Sequence, residues 1–593
     1  MLENDSKVIH YLPDRIIDVG AMSSDTVQLR CASDMEPKER TSHYLTLSHR
    51  WPKNHLISLT SKTLASYKRG IPISNLPKTF QHAVQATRQL KQRYLWIDSL
   101  CIMQDSVADW QEQAAKMGSI YMNGLCNLAA TAATDSNGGL FFDRNMTTIY
   151  PLRVRCHWTF EDFHGLYQHT PGGVCNVDDY LLLNRMIEDT ELNTRAWVFQ
   201  ERLLSPRVVH FAQNQVAWEC KNGLACEMYP SGASAGPASV ANWSHFWPIK
   251  NLAYEWSTKS TEAIHADWRR AVHWYSGSSM TKRKDTLPAL SGLAKVMQNV
   301  TGDKYLAGLW ETTIAHDLAW ERKGSIKIRP NDSGDTGNWV APTWSWASSE
   351  YLVAWSESPV LSATTIHVTL LRADIVPFCT QKPLQEPIQS KKRSLLTKYL
   401  RHRVKYSGHE IEQNIGKAAQ SEVTGQLKDA KLHLRGRIFK VPCSKNKRYG
   451  AVNPENEVVE VVVSGHTYPA FVTYDDRGTQ DMFFVCRDTF PASYGEFEFM
   501  PVAYCPIEAF GFHWEGLILE SVQDLPDHFR RIGFLVITIP PDQLSEALRS
   551  GDRGGEIESF DADLEGLMNF LDLKALADSD GAKHGYERNI ILI

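Results

Sequence analysis

Two short apolar runs, Tyr44-Leu-Thr-Leu47 and Tyr94-Leu-Trp-Ile97, bracket one helical segment, and this order constrains the fold more than any other feature of the chain. Between them, Leu76-Pro-Lys-Thr79 sets a proline early in the first turn of a helix, where its missing N–H has no intrahelical partner to lose. Phe80, Ala83, Val84, Thr87 and Leu90 then mark one face at helical spacing. Strand, helix and strand in that order predict parallel pairing through a right-handed crossover. Open α/β sheets present their ligand sites at the carboxyl ends of such strands. That edge collects Ser48-His49-Arg50-Trp51-Pro52 from the first strand and Asp98 from the second. A plain polar loop with a partly buried Trp explains the first cluster equally well.

The surrounding pattern extends this α/β reading. Arg15–Asp18 and Val27–Arg30 are short strands in a lead-in. Cys101 and Gln104 fall in the loop after Asp98, and the apolar neighbours of Cys101 favour an inert packed thiol over a nucleophile. Asp109 is the expected N-cap of the next helix, with Glu112 completing a capping box. That helix runs to about Met122, with Trp110, Ala114, Met117 and Tyr121 on a core stripe. Leu125–Thr131 is a third strand and Asn137–Phe142 a turn. A long excursion over 143–194 follows, with Glu188, Asp189 and Glu191 placed to cap the next helix or to sit over the site.

Arg195-Ala-Trp-Val-Phe-Gln-Glu-Arg-Leu-Leu204 is that helix. Trp197 and Glu201, four residues apart, share a face, which sets an aromatic plate beside a carboxylate. Arg195, Arg202 and Arg207 supply positive charge for phosphates or for tuning the carboxylate. The simpler alternative is an amphipathic helix with a core Trp and an ion-paired Glu. Arg207–Phe211 and Gln215–Cys220 then read as a strand pair.

From 221 to 330 the pattern turns helical, through Asn242–Trp256, Ala263–Tyr275, Asp285–Ala294, Tyr305–Trp310 and His316–Trp320. Asn331–Asn338 is a loop. Pro342-Thr-Trp-Ser-Trp-Ala347 sets two Trp at alternate positions, one face of a strand. Strand-like runs continue at Thr364–Leu371, Lys431–Val441, Val458–Val463, Met482–Cys486, Glu496–Tyr504, Gly516–Leu519 and Ile532–Ile539. The basic stretch 381–405 interrupts them and reads as a solvated loop able to meet an acidic partner. The apolar tail Asn589–Ile593 and the Trp-rich segment are expected to pack on one another or on the first domain.

Composition narrows the class. At 593 residues the chain exceeds a single core, so two or three domains are expected. A net charge of -5 argues against a nucleic-acid-binding protein as a whole. Eleven Cys, scattered and odd in number, fit free thiols in a reducing compartment. The acidic start Met-Leu-Glu-Asn-Asp lacks a signal peptide's features, and no apolar run is long enough to span a bilayer. A cytoplasmic protein is the expectation. No P-loop, HExxH or zinc-spaced Cys/His cluster occurs, so no metal site and no bound cofactor are assigned.

The motifs Tyr44–Trp51, Leu76–Thr79, Tyr94–Asp105, Asp109-Trp110 with Met117 and Ile120-Tyr121, and Arg195–Leu204, in this order over about 40–220, resemble the fungal heterokaryon-incompatibility (HET) domain. Tyr305–Trp310 and Pro342–Ala347 are similar to segments that follow this domain in long members. His49-Arg50-Trp51-Pro52 departs slightly from the usual Tyr or His, Cys or Arg, Trp and Gly, and His82 takes a commonly acidic position. The resemblance implies fungal non-self recognition ending in programmed cell death. The family has been likened to TIR domains, which are flavodoxin-like, and some of which cleave NAD with one Glu after a Trp-x-x-x-Glu helix. The expected architecture is therefore an α/β HET domain over 1–225, with a flavodoxin/TIR-like parallel sheet bearing insertions. A helical region over 226–330 and a β-rich domain over 331–593 follow it.

Three functional readings follow. In the first, NAD is a substrate. Glu201 acts on the ribose or an oxocarbenium-like transition state, His49 moves a proton, and Asp98 orients a hydroxyl or fixes Arg50. Ser48, Arg50, Trp51, Trp197 and Arg195 line the ligand, the arginines meeting pyrophosphate and a Trp stacking on a ring. In the second, the unit is a non-enzymatic death effector acting by self-association or on a partner protein. In the third, the scaffold serves small-molecule chemistry of the secondary-metabolite kind. A nucleotide or small-molecule ligand fits the first and third readings. None calls for nucleic acid or a membrane span.

Overall fold

The computed structural model describes residues 11–52, 57–144, 152–155, 174–177, 182, 184–230, 232, 250, 255–323, 339–355, 365–366, 368–377, 427–437, 439–445, 457–463, 466–474, 495–507, 511–523, 525–539 and 587–593. The basic stretch 381–405, the loop 331–338 and the strand expected at Met482–Cys486 lie outside them, as do most of 143–183 and of 242–254. The chain forms two compact units. Among the described residues, the first takes in those up to Ser260 and Pro288–Val300, and the second takes the remainder.

The first unit is α/β. Its strands are β1 (Arg15–Asp18), β2 (Thr26–Cys31), β3 (Tyr44–Ser48), β4 (Ile71–Pro72), β5 (Tyr94–Trp96), β6 (Cys126–Ala129), β7 (Leu152–Arg155), β8 (Val174–Val177), β9 (Arg207–Phe211), β10 (Val216–Cys220) and β11 (Gly223–Cys226). All but the β7–β8 pair join one sheet in the order β11-β10-β9-β6-β3-β5-β1-β2-β4. β9, β6, β3 and β5 run parallel at its centre, and the flanking strands pair antiparallel. β3 and β6 are buried along their whole length, as strands covered on both faces must be.

Among the described residues up to Ser205, the helices in chain order are α1 (Leu64–Arg69), α2 (Lys78–Gln89), α3 (Asp98–Cys101), α4 (Val107–Asn123) and α5 (Ala196–Leu204). α2 buries Phe80, Ala83, Val84 and Thr87 of the stripe read from the sequence, whereas Leu90 is its exposed C-cap. The N-cap of α4 lies three residues before the expected one: it is Ser106, not Asp109, and its hydroxyl accepts from the Asp109 N–H. Asp109 is drawn instead to Arg15, at 2.6 and 2.7 Å, and to the Met103 N–H. Gly118 of α4 lies so close to Gly292, on the helix Ser291–Thr301, that a Cβ there would stand 2.6 Å from the Gly292 Cα. The Gly292 N–H also donates to Gln200 Oε1 at 2.6 Å, which fastens α5 at the same place.

The second unit contains the helix Thr261–Ser276 and a mainly antiparallel sheet. Its strands are β12 (Tyr305–Leu306), β13 (Leu309–Trp310), β14 (Trp320–Lys323), β15 (Leu352–Trp355), β16 (Thr365–Ile366), β17 (Thr369–Pro377), β18 (Leu427–Arg437), β19 (Phe439–Lys445), β20 (Glu457–Val463), β21 (His466–Tyr474), β22 (Gly495–Ile507), β23 (Gly511–Ser521), β24 (His528–Ile539) and β25 (Glu587–Leu592). The pairings β19–β20–β21–β24–β23–β22–β19 close on themselves, so these strands form a circuit. β25 extends it from β24 through a parallel pair, then β18 and β17 follow.

Two local expectations in this unit fail. Tyr305–Trp310 is not helical: it is the β12–β13 hairpin, turning at Ala307 (φ 49°) and Gly308 (φ 101°). Two consecutive left-handed residues make the tight turn a hairpin needs. Pro342–Ala347 is not a strand either, but a turn leading into the short 3-10 helix Trp346–Ser348, capped by the Ser345 hydroxyl. The indole N–H groups of Trp268 and Trp346 both donate to the Gly308 carbonyl, at 3.0 and 2.8 Å. The expected packing of this segment on the tail is present: Thr343 donates through its N–H and its hydroxyl to the Ile593 carbonyl, at 3.3 and 2.5 Å.

Candidate functional site

Parallel register builds the site. Thr46 pairs with Asn127 and with Trp96, so β3, β5 and β6 end together and bring Ser48, Asp98 and Ala129 to one edge. Alternation then sets Thr46 and Ser48 on one face of β3. Over that face lies α5, and Glu201 reaches down from it.

The Ser48 hydroxyl donates to Glu201 Oε2. Behind it, Asn127 Nδ2 donates to Ser48 Oγ at 2.9 Å, and Thr46 Oγ1 donates to Asn127 Oδ1 at 3.0 Å. All four side chains are buried, Glu201 at 6% exposure. Burial pushes the Glu201 carboxyl up to about 7; the Ser48 hydrogen bond opposes this, Asp98 adds to it, and Arg195 and Tyr121 offset it. A carboxyl in that range exchanges its proton near neutral pH, which general acid–base chemistry requires.

His49 and Asp98 stand beside this pair. His49 Nδ1 lies 3.6 Å from Asp98 Oδ1, too far for a hydrogen bond, and its Nε2 is buried without a partner. Burial lowers its pKa, with Asp98 opposing and Arg195 reinforcing the shift, so the ring is neutral. Phe80 meets it edge-on, 4.8 Å between centroids. Asp98, the first residue of its short helix, accepts from the Ser99 N–H at 2.6 Å and from Trp51 Nε1 at 2.8 Å. Trp51 is 37% exposed.

The remaining predicted residues separate from this group. Arg195, the N-cap of α5, donates to the His49 carbonyl at 2.7 Å and so ties the helix start to the end of β3. Arg50 pairs with Glu191 and donates to the Thr134 carbonyl at 3.2 Å, rather than meeting Asp98. Trp197 packs edge-on against Trp110 at 6.2 Å, at the margin of the core. Cys101 is buried and its thiol is pushed up to about 12, which leaves it inert.

Sequence reasoning missed two groups. One is Thr46 and Asn127; their signal was a polar residue inside each of two apolar strands, since a buried polar side chain needs a partner. The other is a buried ionic cluster around Arg202. Its guanidinium holds Glu219 at 2.8 and 3.1 Å and Glu188 at 2.8 and 2.9 Å. His210 Nε2 lies 2.9 Å from Glu219, and Lys250 Nζ donates to the Arg202 and Ser205 carbonyls at the end of α5. Glu219 is held far below the usual carboxylate range by Arg202 and His210, against its burial. Arg202 is thus consumed within the protein, not offered to a phosphate. Among the described residues no group of His, Cys, Asp and Glu is arranged to hold a metal, and no helix is long and apolar enough to cross a membrane.

The class these features define is an α/β domain with a buried Ser–Glu pair at the carboxyl edge of a parallel sheet. The family model of the heterokaryon incompatibility protein (HET) matches residues 44–201, from the first residue of β3 to Glu201 itself. Residues 44–201 thus carry the HET domain, named for fungal heterokaryon incompatibility. No curated protein and no solved structure matches it.

Proposed function

We propose that the HET domain acts in non-self recognition and programmed cell death by consuming NAD, with Glu201 as the acting carboxylate. The observation that supports this is the Ser48–Glu201 pair: a buried carboxylate of near-neutral proton affinity, set where α/β sheets take their ligands. In such a reaction the bond between ribose C1′ and the pyridinium nitrogen breaks. Its electron pair leaves with nicotinamide, which departs neutral, so no strong general acid is needed. The ionised Glu201 stabilises the oxocarbenium-like ribose, as carboxylates do in glycoside cleavage. Water then forms the new C1′–O bond and releases one proton, which Glu201 takes. Trp51, with its exposed ring, is the stacking surface this reading favours, and Asp98 is the group that orients it. Purified protein should deplete NAD, and Glu201→Gln should abolish the loss while leaving the fold intact. Undiminished loss in that variant overturns the assignment.

One observation favours a second reading, a non-enzymatic effector that acts by assembly. Glu201 and His49 are both buried, and Arg50 is already paired with Glu191. In that arrangement the carboxylate is a structural member of the α5–β3 junction. A concentration-dependent oligomer without nucleotide loss is its signature.

A further inference from the structure

We infer that Asn127 is a positioning residue for Glu201: clamped by Thr46, its amide fixes the Ser48 hydroxyl as a donor to the carboxylate. This rests on the reading of Glu201 as the acting group.

The argument is a count of protons along one chain. Thr46, Asn127, Ser48 and Glu201 are linked at 3.0 Å, at 2.9 Å and by the close Ser48–Glu201 bond. None is more than 6% exposed, so water does not fill a missing bond cheaply. The Thr46 hydroxyl donates to Oδ1, which turns Nδ2 toward Ser48. An amide nitrogen only donates, so Ser48 Oγ must accept from it. The one Ser48 proton is then left for Glu201. The chain therefore runs in a single direction and ends on a carboxyl oxygen that accepts, a role the ionised carboxylate fills more strongly than the neutral acid. A protonated Glu201 that carries its proton on the other oxygen still accepts from Ser48 through Oε2, but as a weaker acceptor than the ionised carboxylate, so the fixed Ser48 donor favours the ionised form. Proton gain at Glu201 is thereby coupled to an amide two residues removed from it in the hydrogen-bond path. Burial holds the carboxyl high and Asp98 adds to this; the Ser48 donor at the end of the chain opposes it, together with Arg195 and Tyr121.

The geometry also explains why Asn stands there. Asn127 is paired across from Thr46 in the parallel register, and its side chain spans the step from Thr46 to Ser48 on the same face. Asp at this position would offer a second acceptor and compete with Glu201 for the Ser48 proton. Leu would fill the volume and release Ser48 from its fixed role.

The test reads Glu201 without depending on turnover. Melting temperature is followed against pH for the full chain and for Asn127→Leu and Thr46→Val, each with Glu201 intact and with Glu201→Gln. The difference within each pair isolates the titration of Glu201. Its midpoint should rise by about one pH unit in Asn127→Leu, the worth of a hydrogen bond to a charged group. It should rise by less in Thr46→Val, which leaves the amide in place but free to turn. A midpoint unmoved in both variants, or losses equal at every pH in both backgrounds, overturns the inference. If Asn127→Leu does not fold, Thr46→Val, which keeps shape, decides alone. NAD loss against pH in the same proteins separates the two claims. A shifted midpoint without any NAD loss sinks the proposed reaction and keeps the coupling. NAD loss without a shift does the reverse.

Discussion

Ser48 and Glu201, 153 residues apart in the chain, share one buried hydrogen bond in which the serine hydroxyl donates to the carboxylate. It joins the last residue of a central parallel strand to the middle of the helix that covers it. The family match spans nearly this interval.

Glu201 should make the protein less stable as pH rises. Its carboxyl is raised from 4.5 to about 7 in the folded state. The folded value exceeds the unfolded one, so the native state holds the extra proton between them. Stability is full below about pH 4.5 and is lost progressively toward 7. At 1.36 kcal/mol per pH unit, the loss is roughly 3 kcal/mol. Glu201→Gln removes this slope. Calorimetric melting at about pH 5 and pH 8 should show the variant gaining on wild type at the higher pH. A constant difference between the two would contradict the burial argument.

Arg202→Met should be severely destabilising. The guanidinium serves Glu188 and Glu219 together, and its loss strands a carboxylate beside His210 in the interior. Removing one partner of a buried ionic group costs about 3–5 kcal/mol. Denaturant unfolding of the first unit is the measurement; a loss below about 1 kcal/mol, the range of exposed pairs, would show the cluster to be solvated.

Gly308→Ala should damage the second unit. A Cβ there would stand 2.6 Å from Trp346 Nε1, and the residue sits at φ 101°. Overpacking plus left-handed backbone costs on the order of 2–4 kcal/mol. Trp fluorescence should report the displaced indole of Trp346, and an unchanged spectrum with an unchanged melt would refute the prediction.

His265 should stabilise the second unit in its protonated form. Its Nδ1 meets the Thr261 carbonyl at 2.7 Å and its Nε2 meets Asp303 at 2.8 Å. Both partners only accept, so both ring nitrogens must carry protons. The pKa is raised above 6.5: burial opposes this, and Asp303, Thr261 and Asp317 outweigh it. Raised histidines stabilise fully below the unfolded value, so this contribution is present below about pH 6.5 and lost as pH passes the folded one. Asp303→Asn should flatten the melting temperature between about pH 6 and pH 8. A slope as steep as wild type would show the ring to be neutral.

The parallel centre was legible because its strands are short, apolar and separated by a helix with a clean stripe; Tyr44–Leu47 and Phe80–Thr87 carry that signal alone. The edge residues Ser48, His49 and Asp98 followed from direction, since parallel strands end together. What the sequence hid was partnership. Arg50, Arg195 and Arg202 look alike on paper, yet one meets Glu191, one a backbone carbonyl and one the buried Glu219 together with the half-buried Glu188. Nothing local distinguishes them, because each partner arrives from a distant part of the fold. Tyr305–Trp310 misled for a different reason: the turn at Ala307-Gly308 is written in backbone sign, and Gly308 was its only mark.

The closed strand circuit of the second unit bears on how copies of this protein could meet. Strands whose two edges are already paired offer no template to another chain, so growth by strand addition cannot begin on that ring. Among the described residues the series of strands ends at β16 and β17. β16 spans only Thr365–Ile366, whereas β17 is long, carries the exposed Arg372 and half-buried Asp374, and finishes in Pro377. Charges and proline on an outer strand discourage stacking of sheets end to end. The paired ring and the charged outer strand together guard this β-rich unit against growth by strand addition.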